Sequence, residues 1–109
     1  MTDTTHYTYR VSWSGEDGEY VATVVEFPSL SWLHAEQGKA LRGLVELVDE
    51  VVADLETTGE PTPEPIALRR FSGKFNVRLP ESLHRELALA AAEEGVSLNR
   101  LVSDRLAHT

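Results

Sequence analysis

The chain has 109 residues, of which 41% are hydrophobic and 26% charged, with no cysteine and a formal net charge of −8. This composition is that of a soluble globular protein, and it excludes disulfides, cysteine-based zinc sites and thiolate catalysis. No apolar run approaches the ~18 residues of a membrane span, and residues 1–6 do not resemble a signal peptide, so we expect a cytoplasmic protein.

The first part of the chain shows the pattern of a small sheet followed by one long helix. Residues 7–13 alternate in polarity, residues 20–27 are rich in β-branched and aromatic side chains, and the glycines between them predict a hairpin turn. Residues 30–34 predict a short third strand. Residues 39–56 predict a helix because apolar side chains recur every three or four positions, at Leu41, Leu44, Val45, Val48, Val51, Val52 and Leu55.

A proline-rich stretch follows this helix and marks a boundary. Residues 57–65 hold a glycine and three alternate prolines, which exclude a helix and favour a stiff linker or an extended edge segment. Residues 66–71 predict another short strand of the same sheet. Residues 1–66 have thirteen acids and three cations, a charge of −10, whereas residues 67–109 have seven cations and five acids, a charge of +2. We therefore predict two domains, residues 1–66 and residues 67–109.

The second domain begins with an alternating stretch, residues 74–80, with the sequence Lys-Phe-Asn-Val-Arg-Leu-Pro. A strand here places its apolar and polar side chains on opposite faces. Pro80 suits the start of a helix, Gly95 suits its end, and Ser97 suits the N-cap of a second helix. The predicted order is strand, helix, helix.

A segment of roughly 35 residues is too small to bury a sufficient core alone, so we predict that two copies pair their strands antiparallel. The predicted dimer core comprises Phe75, Val77, Leu79, Leu83, Leu87, Leu98, Leu101 and Val102. The other face of the paired strands would present Lys74, Asn76 and Arg78 from both copies, side chains that suit base edges in the major groove. The start of the second helix offers backbone donors to a phosphate, at Ser97, Leu98 and Asn99. The alternative is that Lys74, Asn76 and Arg78 form only the solvated face of an edge strand.

Two strings carry a resemblance to a known family. Residues 71–84, Phe-Ser-Gly-Lys-Phe-Asn-Val-Arg-Leu-Pro-Glu-Ser-Leu-His, and residues 94–101, Glu-Gly-Val-Ser-Leu-Asn-Arg-Leu, resemble the ribbon-helix-helix segment of the HicB antitoxin family, itself similar to Arc-type repressors. The N-terminal part is similar in order to that family's small domain with a degenerate ribonuclease H-like sheet and helix. The resemblance implies an α+β protein.

That resemblance also implies a function, namely an antitoxin that neutralises a HicA-type messenger-RNA-cleaving toxin and represses the shared operon by binding operator double-stranded DNA. A stand-alone transcriptional regulator without a toxin is the alternative. A homodimer is the expected assembly, and tetramers or larger forms remain open.

An enzyme ranks third among the hypotheses. A metal-dependent ribonuclease H-like nuclease would need converging carboxylates, for which the candidates are Glu16, Asp17, Glu19, Glu46, Asp49 and Glu50. Acids in a turn and on a helix surface usually serve solubility, and the four histidines show no metal-ligand spacing. We therefore expect no catalytic residue, no metal and no cofactor. Trp13 and Trp32 are interpreted as core or interface residues, and an exposed tryptophan is a good anchor for a protein partner.

Overall fold

The computed structural model of this chain describes residues 2–108. They form two units, which divide between Phe71 and Ser72. The elements in chain order are a 3₁₀ turn at Thr4–His6, strands β1 (Tyr9–Ser14), β2 (Glu19–Val24) and β3 (Ser31–His34), helix α1 (Gln37–Thr58), a 3₁₀ turn at Ile66–Leu68, and helices α2 (Glu81–Glu94) and α3 (Leu98–Ala107). The architecture is α+β, as predicted. Among the described residues, no helix combines the length and the apolarity needed to cross a membrane.

The N-terminal sheet is an antiparallel meander in the order β1-β2-β3. The predicted hairpin is confirmed: Gly18 takes a left-handed conformation, with φ 64°, and its N–H donates to the Ser14 carbonyl at 2.9 Å. The predicted third strand is confirmed as β3. The register pairs Tyr20 with Trp13 on one side and with His34 on the other, so these three side chains share a face of the sheet.

Helix α1 covers that face and closes the core of the unit. Its predicted apolar stripe is confirmed by buried Leu44, Val48 and Val52, which pack with buried Ala22 and Val24 of β2. Full burial of a leucine or valine contributes about 1.5–3 kcal/mol, so this stripe holds the helix on the sheet. The helix is two residues longer at each end than predicted.

The proline-rich stretch lies against the N-terminal unit and is held there by hydrogen bonds. The Tyr7 hydroxyl donates to the Pro63 carbonyl at 2.8 Å. The Glu26 carboxylate accepts the backbone N–H groups of Thr8 and Ile66, both at 2.9 Å. Burial disfavours the charged carboxylate, but these backbone donors outweigh burial and lower the pKa of Glu26. The stretch therefore follows one fixed path along this unit.

The prediction of a strand at residues 66–71 is wrong. Ile66–Leu68 forms a 3₁₀ turn, because the backbone bonds here are local: the N–H of Leu68 donates to the Pro65 carbonyl and that of Arg69 to the Ile66 carbonyl. The N–H of Ile66 is taken by Glu26. These donors cannot then pair with a neighbouring strand.

The C-terminal unit consists of an extended segment and two helices. Gly95 ends α2 with φ 70°, and the Ser97 side chain caps α3 by accepting the N–H of Arg100 at 3.1 Å, so both sequence signals are confirmed. Ala91 and Leu101 are the buried side chains of the two helices. Residues 74–79, in contrast, are not a strand in the single chain, because no second strand lies beside them among the described residues.

Candidate nucleic-acid interface

The extended stretch at residues 74–79, here called the ribbon segment, begins at a tight turn. Gly73 has φ 84°, and the Ser72 hydroxyl oxygen accepts the N–H of Lys74 at 3.1 Å. Pro80 follows the segment, and α2 starts at the next residue. Within residues 2–108, the backbone of residues 75–79 makes no hydrogen bond. The segment thus presents a row of unpaired donors and acceptors, which is the property of an edge that can add a strand.

The apolar side chains of the ribbon segment are uncovered in a single copy. Phe75 is 75% exposed and Val77 is 62% exposed, and Leu79 and Leu83 are also exposed. Of the other residues predicted for the dimer core, Leu101 is buried, whereas Leu87, Leu98 and Val102 are half-buried. On α3, Leu106 is also exposed. Of the eight predicted core residues, only Leu101 is buried in one copy, so most of this apolar surface is uncovered.

The polar side chains of the ribbon segment are accessible to a ligand. Lys74, Asn76 and Arg78 are all exposed. None of them takes part in the three ion pairs found within residues 2–108. The two cations and the amide occupy alternate positions along an extended backbone. Their donors are therefore free to bind phosphates or base edges.

His84 is a neighbour of this site that was not among the predicted site residues. It lies in the first turn of α2, where its backbone N–H donates to the Pro80 carbonyl at 3.0 Å. Its side chain lines the same shallow depression as Asn76, Val77, Arg78 and Leu79. The signal available from the sequence was its position four residues after Pro80, which places it in the first turn of the helix.

The start of α3 is the second predicted contact. The Ser97 hydroxyl oxygen is engaged as the cap, whereas the N–H groups of Leu98 and Asn99 have no acceptor among residues 2–108. Free N–H groups at a helix N-terminus favour an anion. The backbone of Leu98 and Asn99, with the proton of the Ser97 hydroxyl, is thus the part of this turn that remains able to donate.

The unit boundary changes the charge assigned to this region. Residues 72–109 contain five cations and five acids, a net charge of zero, and residues 1–71 contain thirteen acids and five cations, a net charge of −8. The predicted charge of +2 came from Arg69 and Arg70, which lie before the boundary. The C-terminal unit is therefore neutral, and its local positive charge near the candidate site comes from Lys74 and Arg78.

The acids considered for a metal site lie on the N-terminal unit. Glu16 and Asp17 lie in the turn between β1 and β2, and Glu19 begins β2. Glu46, Asp49 and Glu50 are exposed on α1. Asp49 accepts a hydrogen bond from the Thr4 hydroxyl. In the part of the chain that the structure describes, no three or more His, Asp or Glu side chains are grouped so that they could hold a metal ion.

The fold and the site describe a two-unit α+β protein whose second unit is an extended segment followed by two helices, with an open apolar face. The family model that matches is that of the HicB family, over residues 55–106. This range starts in the last turn of α1 and includes the proline-rich stretch, the ribbon segment, α2 and most of α3. The match supports membership of the HicB family and is consistent with the role of an antitoxin. Neither a curated protein nor a solved structure gave a match.

Proposed function

We propose that this chain is the cytoplasmic, non-enzymatic antitoxin of a toxin–antitoxin pair, with a ribbon-helix-helix DNA-binding unit. Its N-terminal unit would neutralise a HicA-type toxin, and its C-terminal unit would repress the operon that encodes both proteins. The observation that carries the proposal is the ribbon segment, which has an unpaired backbone, an exposed apolar face and an exposed polar face.

Pairing with a second copy would give the ribbon segment hydrogen-bond partners for its backbone and a cover for its apolar side chains. Two segments running antiparallel about a two-fold axis would exchange backbone hydrogen bonds, as neighbouring strands do. The same pairing would place Phe75, Val77 and Leu79 of each copy against the helices of both copies. An apolar face of this kind, uncovered in one copy, is typical of a surface that a second chain covers.

A paired ribbon would then carry Lys74, Asn76 and Arg78 twice on its outer face. A two-stranded ribbon fits the major groove, where Asn pairs with adenine and Arg or Lys with guanine, each good bidentate contact discriminating by about 1–3 kcal/mol. The free N–H groups of Leu98 and Asn99 would hold phosphates on either side. Because the rest of the chain is acidic, we expect the DNA contact to be confined to the ribbon and these helix starts.

The N-terminal unit fits the toxin-binding role through its charge. Residues 1–71 carry −8, and an RNA-cleaving toxin is expected to be basic, so opposite fields would speed and orient their association. The order of sheet and long helix supports a degenerate ribonuclease H-like origin for this unit.

The test of the proposed DNA contact is the triple variant Lys74→Ala, Asn76→Ala and Arg78→Ala. It should abolish binding to the DNA upstream of the chain's own reading frame, measured by fluorescence anisotropy, while light scattering shows an unchanged oligomer. The control Lys39→Ala with Arg42→Ala also removes two positive charges, but from α1, and this variant should bind operator DNA like the natural chain. Unchanged affinity of the triple variant for operator DNA would show that the ribbon segment does not contact DNA.

A stand-alone regulator is the second candidate function, because the family match covers residues 55–106 and leaves most of the N-terminal unit outside it. The two functions differ in whether a short reading frame for a basic protein lies beside this one. A pull-down from the native host that recovers a small basic protein supports the antitoxin, and recovery of none favours the regulator.

A further inference from the structure

The hairpin of the N-terminal unit carries a pair of aromatic side chains, of which Trp13 is exposed and Tyr20 is half-buried against the core. Trp13 of β1 and Tyr20 of β2 are paired in the register, and their rings meet edge to face, with centroids 5.0 Å apart and planes at 72°. Trp13 is nevertheless 58% exposed. We call Trp13 and Tyr20 the aromatic patch.

The exposure of Trp13 is unusual for its place in the sheet. It lies on the same face as Tyr9 and Val11, which pack against the buried core. Helix α1 covers this face over Ala22 and Val24 but leaves Trp13 open. The cross-strand contact with Tyr20 holds the indole on a rigid element, so a partner would lose little side-chain freedom on binding it. Large, rigid and partly exposed tryptophans are frequent anchors of protein interfaces.

Negative charge borders the aromatic patch. Glu16 and Asp17 lie in the turn that connects the two strands. Glu19, at the start of β2, pairs with Ser14 and so points to the other face of the sheet from Trp13 and Tyr20. The Ser14 hydroxyl donates to the Asp17 carboxylate at 2.8 Å, which helps to fix the turn. Neither Glu16 nor Asp17 takes part in an ion pair within residues 2–108. An aromatic face beside unpaired carboxylates suits a lysine or arginine side chain, through cation–π and ionic contacts together.

We infer that the aromatic patch and its acidic turn are the docking surface for a basic protein, and that this protein is the HicA-type toxin of the proposed function, on which the inference rests. A second copy of the chain is the other occupant to consider. A two-fold contact through this surface would bring the acidic turns of both copies together, and like charges placed across an interface oppose binding. Charge complementarity therefore selects the basic partner.

The test measures binding of the full chain to the toxin encoded in its own operon, purified as an inactive variant. The variant Trp13→Ala should bind at least about 30-fold more weakly, which is the scale of a lost interface anchor. Trp13→Phe keeps an aromatic face and should lose less than about fivefold. The matched control Phe71→Ala removes an exposed aromatic side chain elsewhere on the unit and should bind like the natural chain.

A charge variant tests the acidic turn without touching the aromatic patch. Glu16→Gln with Asp17→Asn should slow association at least about threefold at low salt, with the difference shrinking at high salt. The amide oxygen of an asparagine can still accept the hydrogen bond of the Ser14 hydroxyl that helps to fix the turn. The control Glu60→Gln with Glu64→Gln makes the same change in net charge on the proline-rich stretch and should leave the rate closer to that of the natural chain.

The outcomes separate this inference from the proposed function. If the natural chain binds the toxin and both Trp13→Ala and the Glu16 and Asp17 variant bind equally well, the docking surface is wrong while the antitoxin role stands. A natural chain that does not bind the toxin would overturn both. A smaller oligomer of the free Trp13→Ala chain would show that the patch joins two copies, and would also overturn the inference.

Discussion

Replacing Phe75 with alanine tests whether the open apolar face of the ribbon segment is a dimer interface. Phe75 is 75% exposed in the single chain, so if a large aromatic side chain buries about 200 Å², pairing would remove about 150 Å² from water. At about 25 cal/mol per Å², and with part of that area retained by alanine, the loss is about 3 kcal/mol per copy. A dimer contains two copies, which gives about 6 kcal/mol, or roughly a 10⁴-fold weaker dimer.

The assay is sedimentation velocity over a concentration series, with the dissociation constant fitted for each variant. Phe75→Ala should shift the monomer–dimer transition to far higher concentration and should weaken operator binding by the same linkage, although Phe75 would not touch DNA. Leu89→Ala is the matched control, because Leu89 is similarly exposed but lies on the opposite side of α2 from Leu83 and Leu87. A Phe75→Ala chain that dimerises as tightly as the Leu89→Ala chain would refute the pairing of ribbon segments.

Two further predictions concern the N-terminal unit. Gly43→Ala should destabilise it by about 1–3 kcal/mol in urea unfolding, since overpacking has that scale and the new Cβ would clash with the Trp32 indole. The control Gly38→Ala, whose Cβ meets no described atom within 4 Å, should be neutral or stabilising. Equal losses of stability in the two variants would contradict the packing of Trp32 on Gly43. Glu26→Gln should lower the urea midpoint at pH 7. The lowered pKa of Glu26 means that its carboxylate stabilises the fold at neutral pH and that this contribution is lost as pH falls through the folded-state pKa. The difference from the natural chain should therefore shrink below about pH 4, and a constant difference would contradict it.

The sequence predicts those secondary-structure elements that are determined by a short-range pattern. The spacing of Leu44, Val48 and Val52 predicts α1, and Gly95 with Ser97 predicts the break between α2 and α3, because periodicity and capping act within a few residues. The structure adds two residues at each end of α1, where frayed turns make the limits least certain from pattern alone.

Hydrogen bonds between residues far apart in the chain determine the features that the sequence did not predict. Residues 66–71 read as a strand, but Glu26 takes the N–H of Ile66 from a position 40 residues earlier. Similarly, the hydroxyl of Tyr7 fixes Pro63 from 56 residues away, so a stretch that reads as a linker is held on the unit. No local pattern encodes which distant side chain will satisfy a given backbone group.

The candidate site was predicted from alternation. In the single chain its polar side chains, Lys74, Asn76 and Arg78, are exposed, and so are the apolar side chains Phe75, Val77 and Leu79, which the pattern assigns to a core. The ribbon segment is not a strand in one chain, because a strand needs a partner and the proposed partner is a second copy. The exposure of Trp13 also depends on how far α1 extends over the sheet, which the sequence alone does not specify.

The most direct test is the mass of the full chain, alone and with operator DNA, by native mass spectrometry. Since one chain has a mass of 12.1 kDa, a dimer is twice that value, and we expect even numbers of chains both free and on DNA. Monomers at high concentration, or one chain per operator site, would contradict a ribbon built from two copies.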